Sequence, residues 1–230
     1  MGETEKIILD HTIGLEVARD VCFNEIMSLQ SLRLGLFQLA THVWKLEEPI
    51  RNEEAKRQER VFFYGNVPGT DRTHNLLLPC YFHWFGVSLC NYVRLVGFVR
   101  GLATARITRA HLQDTKGFKR IKKECTTYTN TVPEIQEVVI WRNKVGAHFA
   151  ITDPREEDNI ATLDMSVIYP VSFFNGRFRV NSMTFSRTSA DGQSHTAELP
   201  SWSITEVWEE LATRYWPEFT YRDSFTSPPP

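Results

Sequence analysis

Cysteine is scarce in this chain of 230 residues: four thiols, Cys22, Cys80, Cys90 and Cys125, with no Cys-x-x-Cys pair. That spacing excludes a disulfide scaffold and a cysteine-type zinc module. The thiols lie mostly in apolar context and read as small buried hydrophobes. No two of the seven histidines stand four residues apart, and no His-Glu-x-x-His occurs, so neither a metal nor another cofactor is expected. Glycine-rich phosphate loops and a Gly-x-Ser-x-Gly elbow are absent too, which removes P-loop, dinucleotide and serine-hydrolase readings. Net charge is also missing. Twenty-six Lys and Arg against 28 Asp and Glu leave −2, which argues against bulk attraction to nucleic acid but not against local patches. No basic segment followed by an apolar run opens the chain, so a secretory leader is not expected and a cytoplasmic protein with reduced thiols is.

What is present is enough to fold. Apolar residues make up 42 % and charged residues 23 %, with 15 Phe, 7 Tyr and 6 Trp, a balance that excludes general disorder. From Leu15 to Glu48, apolar residues recur every three or four positions (Val21, Ile26, Leu29, Leu36, Val43 and Leu46 among them), which predicts a long helix stopped by Pro49. Residues Lys45 to Arg60 then alternate in sign, the pattern of a solvated helix end or an exposed helix. Asn66 to Asn75, with Pro68 and Gly69, reads as a loop.

Leu76 to Val93 holds no charged residue over 18 positions, long enough to raise a membrane span. Pro79, His83, Ser88 and Asn91 interrupt it, and Arg94 and Arg100 follow, so a bundle helix buried on all sides is expected and a membrane partner is not. Gly97 and Gly101 predict close approach of a second helix. Arg94 to Lys123 then carries nine cations against Asp114 alone, a local +8. Such a run suits either a solvated helix face or a phosphate-contacting surface.

Thr131 to Phe149 reads as the next helix, opened by Pro133 and Glu134. The texture then becomes β-prone. Asn175-Gly176 between alternating apolar residues predicts a two-residue hairpin, because both turn positions need positive φ. Ser189 to Ser194 is a second turn-like segment. Ser203-Ile-Thr-Glu206 is a capping-box pattern for a last helix ended by Pro217. The expected class is mainly α: a helical bundle over 1–155 with a small C-terminal β-hairpin and helix appendage over 156–230, packed as one domain.

One phrase concentrates chemistry: Arg142-Asn143-Lys144-Val145-Gly146-Ala147-His148-Phe149. On a helix, Arg142 and His148 flank one face about 120° apart and about 9 Å along the axis. One copy cannot bring both to one atom. Two antiparallel copies can, as isologous dimers permit. The phrase resembles the signature of the HEPN superfamily of all-α proteins: an Arg, four to six residues, then a His, often with a polar residue directly after the Arg. The resemblance covers about twenty of the 230 residues.

That resemblance implies a dimeric, metal-independent endoribonuclease, of the kind found in antiphage defence or toxin systems, or a non-catalytic RNA- or protein-binding relative. His148, ordinarily titrating at about 6.5, would exchange protons with the 2′-hydroxyl or leaving oxygen. Arg142 would pair with the scissile phosphate. Asn143 would orient the phosphate or cap the helix, and Lys144 would add charge. Arg106, Arg109, Lys119, Arg120, Lys122 and Lys123 would hold the RNA backbone. The partners implied are RNA, a second copy and a partner or inhibitor protein. The bland alternative pairs Arg142 with Glu134 or Glu137 and sets His148 against the helix C-terminus.

Overall fold

Helical periodicity carries most of the structure, a computed structural model that describes residues 23–57, 61–62, 72–143, 171–188 and 194–215. Five α-helices appear among these residues: α1 (Phe23–Arg57), α2 (Arg72–Ala103), α3 (Thr115–Thr129), α4 (Gln136–Trp141) and α5 (Ile204–Tyr215). Short 3-10 turns at Arg109–Gln113 and Pro133–Ile135 precede α3 and α4. The strands are few and short: β1 (Val61–Phe62), β2 (Val171–Phe174), β3 (Arg177–Val180), β4 (Met183–Thr188) and β5 (Ser194–Leu199). The chain is thus mainly helical with small antiparallel β elements, and none of the described helices is long and apolar enough to cross a membrane.

Two compact units divide the chain. The first contains α1 up to Gln38, Ser88–Ile135 and α5 from Trp208; the second contains Leu39–Val87 and Gln136–Val207. In the first, Leu29, Leu36, Val96, Val99, Ile135 and Trp208 are buried, and the Phe37 and Trp208 rings meet at 5.8 Å. Gly97 faces α3: an added Cβ would stand 2.9 Å from Tyr128 Cβ and 3.1 Å from Cys125 Cα. The close helix approach expected at Gly97 is therefore present. Gly101 instead meets the side chain of Ile107, in the link after α2.

In the second unit Trp202 is the centre of an aromatic core. Its ring lies 5.0 Å from Phe82, 5.4 Å from Trp141 and 6.2 Å from Phe85. The Asn175-Gly176 turn joins β2 to β3 as the sequence predicts, with φ of 52° and 77°. β1 pairs with β2, Val61 opposite Phe173, to make a three-stranded sheet. A second hairpin, β4–β5, flanks the turn-like segment at 189–194.

Several expectations are corrected. Pro49 does not stop the first helix, which runs on to Arg57. An internal proline costs a helix about 3 kcal/mol, and tertiary contacts offset it here: Ile50 is buried, and Arg51 donates to Glu47 and to the carbonyl of Gly176 at 3.2 Å each. The alternating charges of Lys45 to Arg60 are not uniformly solvated, since Glu47 is fully buried. Helix α2 is not buried on all sides; Leu77, Cys80 and Trp84, on one face by their spacing, are exposed, Trp84 to 56 %. It begins at Arg72, within the stretch read as loop. The helix expected over Thr131–Phe149 is, where described, a 3-10 turn followed by the six residues of α4. The last helix starts where the capping pattern predicts, but Glu206 accepts from Arg179, and the Ser203 hydroxyl lies 3.1 Å from that of Thr205.

Candidate functional site

Arg142 and Asn143 follow directly on α4, where the backbone widens into a π-helical turn. Such turns re-aim side chains and recur at functional sites. The preceding helix is anchored by Val138 and Trp141, both buried, and Gly86 admits the Trp141 ring at a contact of 3.3 Å from an added Cβ. Arg142 is half-buried and Asn143 exposed. Arg142 Nη1 donates to Asn143 Oδ1 at 3.0 Å, so the amide holds the fork from the side and leaves its own NH2 directed elsewhere. Glu134, one of the acidic residues considered as a partner for Arg142, accepts instead from Arg214. Lys144 and His148 lie outside the described residues.

The basic run belongs to the first unit, and the structure sorts it into two kinds. Arg109 is held by both carboxylate oxygens of Glu25, at 3.0 and 3.1 Å, and Arg106 lies 3.6 Å from Glu124. These two cations are partly neutralised. Lys119, Arg120, Lys122 and Lys123 on α3 are exposed, as is Lys116. Among the described residues none of the four lysines forms an ion pair. At about 100° per residue the five cations cover an arc of about 160°. The opposite face, with Gly117, Ile121, Cys125 and Tyr128, turns inward.

Two features of the structure were not anticipated. The first is Glu47. Its Oε1 accepts from the Phe178 N–H at 2.8 Å and from the Thr205 hydroxyl at 3.1 Å, while Oε2 accepts from Arg51 at 3.2 Å. Burial pushes its carboxyl up to about 7, against the lowering effect of those donors and of Arg177. A carboxyl poised near neutrality can mark a proton-transfer site, but this one is sealed and binds α1 to the β2–β3 hairpin and the start of α5. Its signal in the sequence was a register: Glu47 continues the buried stripe of Leu36, Ala40, Val43 and Ile50.

The second is His111, whose Nδ1 accepts the Thr108 backbone N–H at 2.8 Å and whose Nε2 lies 3.4 Å from Arg120 Nη1. Histidine has no sequence pattern that announces such a contact.

A cleft of about 450 Å³ lies beside the β2–β3 hairpin, lined by Ser172, Phe174, Asn181, Ser182 and Ser201 among others. Arg179, its one lining cation, is engaged by Glu206. Burial raises the Cys125 thiol, which disfavours the nucleophilic thiolate. The described residues contain no cluster of His, Cys, Asp or Glu able to hold a metal. No family model, curated protein or solved structure matches this chain.

Proposed function

We propose that this chain is an HEPN-like, metal-independent endoribonuclease acting as a homodimer, with Arg142, Asn143 and His148 as its reacting residues. The observation that carries the reading is the π-helical turn at Arg142–Asn143, which combines a half-buried guanidinium with an exposed amide that orients it. The fork suits a phosphodiester whose charge grows at the transition state. His148 supplies the proton exchange, and the 2′-hydroxyl of RNA is the nucleophile, so no metal takes part. The exposed apolar face of α2 at Leu77, Cys80 and Trp84 supports a second copy.

A second reading, RNA binding without cleavage, is favoured by the cationic arc of α3, which suits a phosphate backbone whatever happens at Arg142. The deciding experiment is cleavage of single-stranded RNA with chelator present, comparing the natural chain with His148→Ala and Arg142→Ala. Loss of at least about 100-fold in both is expected from removing a general acid–base or a phosphate clamp. Cleavage that survives His148→Ala overturns the catalytic assignment.

A further inference from the structure

The link between α2 and α3 is built to bring an imidazole against an arginine. Thr108 and His111 close a cap around the 3-10 turn, with the His111 N–H donating to the Thr108 carbonyl at 3.0 Å. Gly117 lets this turn lie on the first turn of α3, where any Cβ would collide with the His111 carbonyl oxygen. Asp114 caps α3 by accepting from the Gly117 N–H. The cap also sets the imidazole's tautomer. A backbone N–H can only donate, and that of Thr108 points at Nδ1 from 2.8 Å. Nδ1 is therefore the acceptor, and the ring proton resides on Nε2.

Nε2–H and the Arg120 guanidinium are then both donors, 3.4 Å apart. Two donors this close repel unless an acceptor is shared between them, and an anionic oxygen satisfies both. We propose that His111 Nε2–H and Arg120 form a seat for one backbone phosphate of a single-stranded polynucleotide, whose neighbouring phosphates follow the cationic arc of α3. Arg120 marks one margin of that arc, with Lys116 and Lys123 beside it on the helix. Phe118, 57 % exposed, stands at the other margin, one turn from Lys122. An exposed ring beside cations stacks unpaired bases, which a duplex does not offer.

The proposal rests on the RNA reading for the identity of the polymer, but not on cleavage. It is tested on the full chain carrying His148→Ala, with a labelled oligouridylate of about 12 nucleotides and no metal. Arg120→Lys keeps the charge and loses the fork. It is expected to weaken binding about tenfold, against about twofold for Lys123→Gln, and Phe118→Leu is expected to weaken it about fivefold. The His111 Nε2 resonance is expected to shift on titration in the Arg120-containing chain only. The seat is overturned if Arg120→Lys binds like its parent, if inorganic phosphate alone shifts His111 at the oligonucleotide's affinity, if a duplex of equal length binds as tightly, or if phosphatidylglycerol vesicles bind in preference. Tight, Arg120-dependent binding by a chain that never cleaves would sink the nuclease reading and leave the seat standing. Cleavage indifferent to Arg120 would do the reverse.

Discussion

Charge is handled in opposite ways in the two compact units. In the second unit one carboxyl, Glu47, is fully withdrawn from water and surrounded by a backbone N–H, a hydroxyl and a guanidinium. In the first unit, five cations of α3 are exposed to solvent. Desolvation explains the contrast. A buried carboxylate needs every lone pair satisfied, so its partners become rigid parts of the fold. An exposed ammonium loses little hydration and is worth little to stability, which leaves it available to a ligand. Charge that holds a fold together and charge that meets a partner can therefore be separated by burial before any function is known.

The largest test of this comparison removes the buried acid. Glu47→Ala strips the acceptor from Phe178 N–H and Thr205 and is expected to cost about 3–5 kcal/mol in urea unfolding. Glu47→Gln keeps the volume and a carbonyl acceptor, and is expected to cost less than about 1.5 kcal/mol. A small loss in both would mean that Glu47 does not pin the hairpin.

Next comes pH. The Glu47 carboxyl titrates near 7 when folded and at 4.5 otherwise, so between these values the folded chain holds the extra proton. Its contribution is fully present below about 4.5 and is lost as pH rises through 7, on the order of 3 kcal/mol. The stability difference between the natural chain and Glu47→Gln should therefore shift against the natural chain from pH 5 to pH 8. A flat difference would show that burial does not raise this carboxyl.

The smallest effect belongs to the exposed set. Lys122→Gln is expected to change stability by less than about 0.5 kcal/mol while reducing the salt slope of single-stranded RNA binding by about 0.7. A stability loss like that of Glu47→Ala would erase the contrast between the units.

Legibility follows the same line. The β2–β3 hairpin was readable because Asn175 and Gly176 are selected by their own backbone angles, a local requirement. The first long helix was readable from apolar residues recurring every three or four positions, and the second from its uncharged apolar run. The two residues of β1 have no period to detect, and they form a strand only because β2 lies beside them. Pro49 looked like a stop because the long-range contact beyond it joins Arg51 to Gly176, 125 positions apart in sequence. Within the candidate site, Arg142 and Asn143 were singled out by a resemblance whose His148 lies outside the described residues. The engagement of Arg109 by Glu25 was not legible, because the two lie 84 positions apart.

The sequence by itself determined where the body of each long helix runs, where the tight turn falls and where positive charge accumulates. These follow from neighbours within a turn or two. Only the tertiary structure decided that Glu47 is buried, that some cations of the basic run are matched by acids, and that the His111 imidazole lies against Arg120. Each of those depends on which distant group occupies the space beside a side chain, and hydrogen bonding and desolvation act on that space, not on separation along the chain.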